Sequence, residues 1–216
     1  MFLEFVDYLQ NNLTSNGFLP GISTQRIMAP FREGVADREF LPPPTAKQSS
    51  VLVLMIPEVT SFSLLYTVRS SKLRNHTNQI SFPGGRADEM ETPVQTALRE
   101  ANEEIGLVAS NIEVIGNLSP LFVPNSNSGI TPVLSVLQQE QPFQLNEEEV
   151  DEVFTTNVNL LQDSSILHFP MEYNNLKYSV PYWKVHSSIP LWGATAIITK
   201  ELLTIWDRFK AISSEY

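Results

Sequence analysis

The chain has 216 residues, 42% of them apolar, and a formal net charge of −10. That acidity argues against non-specific binding to nucleic acid or to an anionic membrane surface. The absence of cysteine removes disulfides, a thiol nucleophile and cysteine-ligated zinc, and three histidines (His76, His168 and His186) are too few for a histidine-rich metal cluster. The length suffices for one sizeable core. No apolar run approaches the length needed to span a bilayer. The first residues, MFLEFVDYLQ, carry Glu4 and Asp7 where a secretory signal would carry basic residues, so a cytoplasmic protein is expected.

In chain order, residues 2–13 predict a short amphipathic helix with Phe2, Phe5, Val6 and Leu9 on one face. Residues 17–49 form a proline-rich lead-in, predicted to be irregular, that ends in Leu41-Pro42-Pro43-Pro44. Its Arg26, Arg32 and Arg38 read as solvated arms, with contact to a phosphate as the second reading. Residues 50–56 and 61–69 read as two strands joined by a short turn.

The next element is the best signalled. Thr92 can act as N-cap, Pro93 fits the first helical position, and Gln95 completes a T-x-x-Q capping box. Val94, Ala97, Leu98, Ala101 and Ile105 repeat at i, i+3 and i+4, which predicts one stripe buried against a sheet. Gly106 is placed to end the helix in a left-handed turn. Off that stripe, Glu100, Glu103 and Glu104 fall on one face, because an α-helix turns about 100° per residue. Three carboxylates there repel one another unless something cationic sits between them, and Glu103 and Glu104 also oppose the helix dipole. Hard divalent cations prefer such oxygen ligands. The other reading is a solvated acidic face on which Arg99 pairs with Gln95 or Glu103.

Beyond this helix, residues 112–115, 121–123 and 131–136 supply further strands, with a turn-rich loop at 124–129 close to where a ligand group could be read. The acidic run 146–154 reads as a charged loop opening a strand. Residues 166–168 and 178–185 predict a late hairpin, and 200–212 a final helix. No internal repeat is present.

Gly85, five residues, Glu91, seven residues and then Arg99-Glu100-Ala101-Asn102-Glu103-Glu104-Ile105-Gly106-Leu107 resemble the Nudix box. Every polar and glycine position matches, and Ala101 and Leu107 fill the apolar ones. The resemblance implies an α/β fold, an α/β/α sandwich with a mixed β-sheet between helices, carried by residues 50–216 behind the 1–49 lead-in. It implies hydrolysis of a nucleoside diphosphate linked to another group, with Mg²⁺ or Mn²⁺ as cofactor. Glu100 and Glu104 are then the principal metal ligands, and Glu103 a further ligand or the base for the attacking water. Glu91 and Arg99 match the structural ion pair, and Gly85 allows a close approach of the loop to the helix. A further carboxylate from outside the box is often recruited; Glu149 and Glu152 are the candidates. Nudix domains often pair, so a homodimer is among the expected states.

Upstream, Leu65-Tyr66-Thr67-Val68-Arg69-Ser70, the basic residues Lys72, Arg74 and His76, and Phe82-Pro83-Gly84-Gly85 resemble the signature of the coenzyme A diphosphatase branch. Tyr66 replaces a second leucine of that pattern and Asn78 a glycine; asparagine enters left-handed backbone readily enough to keep the turn. The resemblance implies cleavage of coenzyme A to 4′-phosphopantetheine and adenosine 3′,5′-bisphosphate, with Arg69, Lys72, Arg74, His76, Gly84 and Gly85 binding the substrate. A 3′-phosphate as well as a diphosphate would suit such a cationic cluster. Near the C-terminus, Pro181-Tyr182-Trp183 and Leu191-Trp192-Gly193-Ala194-Thr195-Ala196 resemble the branch's closing segment, in which W-G-x-T-A opens the last helix.

Other readings stay open. Taken singly, Arg69 and Arg74 are surface arginines, His76 a hydrogen-bonding loop residue and Trp192 a core aromatic. ADP-ribose, NADH or a nucleotide sugar are alternative substrates, and a non-catalytic nucleotide-sensing domain is the reading outside enzymology.

Overall fold

The computed structural model describes residues 1–33, 38–73 and 77–214. The N-terminal stripe folds as helix α1 (Phe2–Asn12), with Phe2, Phe5, Val6 and Leu9 buried as predicted. Phe5 stacks on Phe62 with centroids 5.6 Å apart and meets Trp206 edge-on at 4.8 Å. Aromatic pairs in these geometries add to simple area burial, so α1 is fastened into the main core.

The lead-in is not irregular throughout. Helix α2 (Ile22–Met28) forms within it, and its buried residues are Thr24, Gln25 and Met28. A seven-residue helix whose inner face is mostly polar shows no apolar period, so nothing in the sequence pattern announces it. Buried Glu201 holds its start in place by accepting the Gly21 N–H at 2.9 Å and the Ser119 hydroxyl at 2.6 Å.

Eight strands make a mixed sheet: β1 (Lys47–Pro57), β2 (Phe62–Arg69), β3 (Ile80–Ser81), β4 (Gly84–Arg86), β5 (Ile112–Asn117), β6 (Leu121–Val123), β7 (Ser128–Leu137) and β8 (Val150–Asn157). β1 is the hub. It runs parallel to β7 from Lys47↔Ser128 to Met55↔Val136 and antiparallel to β2 at its far end. Where β2 leaves it, β4 takes over, pairing Ser49 with Arg86 and Val51 with Gly84. β6 continues the sheet beyond β7, with Phe122 opposite Gly129.

Side chains alternate across a strand, so β1 feeds two cores. Leu52 and Leu54 face a cluster with Ala97, Ala101 and Ile105 of helix α3 (Pro93–Ile105). Val53 and Met55 face a larger cluster with α1 and the C-terminal helix (Gly193–Ser213). This is the expected α/β/α sandwich around a mixed sheet. Helix α4 (Val158–Asp163) is a short addition, its first turn capped by the Asn157 side chain.

The late hairpin is longer than predicted. β9 (Leu167–Tyr173) and β10 (Leu176–Trp183) pair in full register, and β11 (Leu191–Trp192) adds a third strand. The turn between β9 and β10 is Asn174-Asn175, both at positive φ (51° and 60°), as a two-residue hairpin with right-handed twist requires. The C-terminal helix, α5, begins at Gly193, as the W-G-x-T-A resemblance implies and seven residues before the start read from periodicity. Glycine and threonine are weak helix formers, so its first turn carries little local signal. Among the described residues, no helix is long and apolar enough to cross a membrane.

Candidate active site

The site is organised by α3. Thr92 Oγ1 accepts the Gln95 N–H and Gln95 Oε1 accepts the Thr92 N–H, closing the predicted capping box. At the other end Gly106 turns left-handed (φ 68°) and donates back to Ala101 and Asn102. The free carbonyls of the last turn are taken by the next loop: Gln144 N–H donates to Ile105 and Asn146 N–H to Glu104. These bonds bring the acidic loop 146–149 against the carboxylate end of the helix.

Arg99 is the charge hub. Its Nε and Nη2 donate to Glu91 Oε1 and Oε2 at 2.8 and 3.0 Å, and Nη2 also reaches the Arg86 carbonyl. Its Nη1 donates to Glu100 Oε1 at 2.9 Å and Glu103 Oε2 at 3.1 Å. The expected Glu91–Arg99 pair is therefore present, and the same guanidinium separates Glu100 from Glu103. The Arg99 fork pulls the Glu91 carboxyl down to about 2, helped by the Asp88 N–H and the Thr96 hydroxyl. Glu91 and Glu100 in turn push Arg99 upward.

Glu104 behaves otherwise. The sequence places it off the buried stripe; in the structure it is only 2% exposed. It lies three and seven residues beyond Ala101 and Ala97, which turns it toward the sheet. Gly84 N–H donates to Glu104 Oε2 at 3.1 Å, and Arg69 Nη1 lies 3.6 Å from Oε1. Burial pushes its carboxyl up to about 8. The Gly84 N–H and Arg69 oppose that rise, while Glu100 and Glu149 add to it. Burial also raises Glu100, against the pull of Arg99 and with Glu103 and Glu149 adding to the rise.

Two glycines make the approach possible. A Cβ on Gly85 would overlap the Glu100 carboxylate, and one on Gly84 would overlap the Ser50 carbonyl oxygen and sit 2.6 Å from Val51 Cα. Any side chain at either position would collide with the neighbouring strand or with the carboxylate.

The outer carboxylates separate clearly. Glu149 bears electrostatically on both Glu100 and Glu104. Glu152 is instead engaged by His186 Nε2 at 3.2 Å. Among the described residues, no three acidic or histidine side chains already converge as a closed metal cluster, and Arg99 Nη1 bonds both Glu100 and Glu103. The donor chemistry nonetheless suits a hard divalent cation. Glu100, Glu103, Glu104 and Glu149 offer only carboxylate oxygens, and two of them are raised by burial among like charges.

A cavity of about 400 Å³ opens beside these groups, with Arg69, Gly84, Gly85, Arg38, Asn125 and Trp192 among its walls. Of the predicted substrate contacts, Arg69, Gly84 and Gly85 are brought together there. Lys72 is not: its ammonium is half-exposed and pairs with Glu148 at 2.9 Å, because the acidic loop competes for it. Arg74 and His76 lie outside the described residues. Two expectations are corrected. Trp192 is half-buried and lines the cavity instead of filling the core, and Arg38 is not a solvated arm but part of the same wall. Arg32 is exposed, as expected. Tyr66 is fully buried between Phe82 and Phe154, and its hydroxyl shares a 3.0 Å hydrogen bond with Thr199. It is a core residue that backs the cavity-lining Phe82 and does not itself line the cavity. Asn78 adopts the left-handed conformation (φ 54°) that the turn needs.

The family model for the NUDIX domain matches residues 46–171. Nudix hydrolase 3 of Caenorhabditis elegans is 32% identical over 178 residues, 73% of this chain and 73% of that protein. An uncharacterized Nudix hydrolase, NudL, of Yersinia pestis (strain Pestoides F) is 36% identical over 164 residues, 73% of this chain and 79% of that protein. Among solved structures, a Nudix hydrolase from M. smegmatis, RenU, is similar with a TM-score of 0.48 and 15% identity, over 83% of this chain and 96% of that one. The family model covers more than half of the chain and curated relatives exceed 30% identity over most of it: this chain belongs to the Nudix hydrolase family.

Proposed function

We propose that this Nudix hydrolase is a Mg²⁺- or Mn²⁺-dependent diphosphatase that cleaves coenzyme A or its derivatives to 4′-phosphopantetheine and adenosine 3′,5′-bisphosphate. The observation that carries the reading is Arg69. It lines the cavity and faces Glu104 at 3.6 Å, so one guanidinium adjoins both the ligand space and the buried carboxylate. Arg69, Gly84 and Gly85 belong to the upstream segment that resembles the coenzyme A branch, and all three border the cavity.

Glu100, Glu103 and Glu104 would hold the metal, with Glu149 near enough to assist. A divalent cation there would neutralise phosphate oxygens and make bound water more acidic. The protein's own groups have separable tasks. Arg99, fixed by Glu91, orients Glu100 and Glu103 by hydrogen bonds from its Nη1. Gly84 N–H orients Glu104. Glu103 is the most exposed of the three, its side chain 53% exposed, and serves as the acceptor for the water proton. Water oxygen forms a bond to one phosphorus as its proton passes to Glu103, the anhydride P–O bond breaks, and the other phosphomonoester leaves on the far side with the bridging oxygen. Arg69 draws the diphosphate toward the carboxylates by fork-to-oxyanion hydrogen bonds.

The test is product identification after incubation with coenzyme A and Mg²⁺ or Mn²⁺ in ¹⁸O-labelled water. The expected products are 4′-phosphopantetheine and adenosine 3′,5′-bisphosphate, with the label in one of them. Faster turnover of ADP-ribose, NADH or a nucleotide sugar would overturn the substrate assignment, and no turnover of any diphosphate would favour a sensing role.

A further inference from the structure

The cavity has a second cationic wall that the reaction outlined above does not use. Arg38 comes from the lead-in between α2 and β1. Its Nη2 donates to the Phe122 carbonyl in β6, and its guanidinium carbon lies 5.2 Å from the centre of the Phe40 ring. A carbonyl on one side and an aromatic face on the other hold the fork in place. Its Nε–H is buried with no hydrogen-bond acceptor, and no carboxylate among the described residues pairs with it. A guanidinium stays charged at any ordinary pH, and leaving a buried donor unsatisfied is unfavourable. A fixed, under-paired cation in a cavity wall is a site for an anion.

Arg69 shows the contrast. Its Nε is also buried without an acceptor, but its Nη1 already faces Glu104. The two arginines also sit on different parts of the sheet. Gly84, which donates to Glu104, is on β4, and Arg38 is anchored on β6. The strand order β4-β1-β7-β6 sets the anchoring backbones three interstrand steps apart, about 14 Å at ~4.8 Å each. The two arginine side chains reach from these sides into the one cavity. An anion held by Arg38 is therefore a different group from the phosphorus attacked beside Glu104. Asn125, Ser126 and Ser128 share its wall and offer amide and hydroxyl donors.

We propose that Arg38 binds a phosphomonoester of the nucleotide, separate from the diphosphate that is cleaved, and so determines specificity. This rests on the diphosphatase reading for the identity of the group, which in coenzyme A is the ribose 3′-phosphate. Arginine suits the role because its planar fork matches two phosphate oxygens at once.

The experiment compares wild type, Arg38→Gln and Arg38→Lys on coenzyme A and on dephospho-coenzyme A, with calorimetric binding of adenosine 3′,5′-bisphosphate and AMP alongside. Arg38→Gln should raise KM for coenzyme A roughly 10- to 100-fold more than for dephospho-coenzyme A, with the difference in KM and not in kcat. Arg38→Lys, which keeps the charge and loses the fork, should fall between. Wild type should bind the bisphosphate more tightly than AMP, and Arg38→Gln should erase that preference. An equal loss on both substrates, or an intact preference in the variant, overturns the proposal. If Arg38→Gln does not fold, Arg38→Lys carries the same comparison. If wild type prefers the bisphosphate through Arg38 yet leaves coenzyme A uncut, the substrate assignment fails and the anion site stands.

Discussion

Glu91 and Glu104 are the same residue type at the two ends of one helix, and the protein treats them in opposite ways. Glu91 meets a bidentate arginine and ionises more readily than a free carboxylate, down to about 2. Glu104 is enclosed by the sheet, receives one backbone N–H and a more distant arginine, and is pushed up to about 8. The first arrangement fixes geometry, because an ionised, fully bonded carboxylate has no reason to move. The second stores unmet demand for positive charge, which a cation can supply. Rigidity and binding capacity thus occupy opposite ends of α3.

The contrast breaks most visibly at Glu103, which Arg99 ties to Glu91 and which adjoins Glu104 in the chain. Glu103→Gln should lower kcat by roughly 10²- to 10⁴-fold, the usual range for a lost general base. Its melting temperature should stay within about 2 °C of wild type, since exposed pairs contribute little. Steady-state kinetics beside a thermal melt checks both, and an unaffected kcat would remove Glu103 from the chemistry.

Glu104→Gln sharpens the same contrast through pH. A raised carboxyl binds a proton in the fold that the unfolded chain has already released. In chelator, wild-type stability should therefore fall as pH rises from about 4.5 to about 8 and level off above. For a single proton the fall is at most about 1.4 kcal/mol for each step of one in pH, and less where the carboxyl relaxes toward water. Glu104→Gln lacks that slope, so it should melt several degrees above wild type at pH 8 and close to it at pH 4.5. Adding Mn²⁺ should stabilise wild type at pH 8 and the variant much less. Parallel melting curves across that pH range would contradict the burial argument.

Gly85→Ala tests the geometry. The new methyl would overlap the Glu100 carboxylate, and that side chain can swing aside. The expected result is a kcat loss of about 10- to 100-fold from a displaced ligand, with a modest drop in stability. Gly84→Ala meets backbone of Ser50 and Val51, which cannot yield, so it should destabilise more than Gly85→Ala in denaturant titration. Lys72→Ala should do least. Its exposed pair with Glu148 lies off the cavity, so KM should change by less than about twofold.

Much of the site is legible in the sequence because local chemistry announces it. The capping box, the apolar stripe and Gly106 fix α3 without reference to the rest of the chain. The spacing from Gly85 to Leu107 identifies the carboxylates. What the pattern conveys less directly is depth: Glu104 lies at the edge of the apolar stripe, three residues after Ala101 and seven after Ala97, where a carboxylate reads as exposed until the helix packs on the sheet. Lys72 departs from expectation because a run of basic residues in sequence need not converge, and the acidic loop after Asn146 intercepts it. Arg38 is left undistinguished from Arg26 and Arg32 for the converse reason. One arginine in a proline-rich lead-in has no period or motif, and its place in the cavity is set by Phe122 and Phe40, contacts that no spacing rule encodes.

The parallel ladder between β1 and β7 joins Lys47–Met55 to segments about 80 residues further along the chain. Such a pairing must wait until the whole intervening stretch has been made, and distant contacts form slowly. Helix α3, being local, can nucleate long before. Along the chain, the box carboxylates of α3 therefore come before the β6 and β7 segments that complete the wall beside Arg38. A chain made only as far as α3 would carry the box carboxylates but neither the β7–β6 wall beside Arg38 nor Glu149, so both ends of the cleft are completed together by the late pairings.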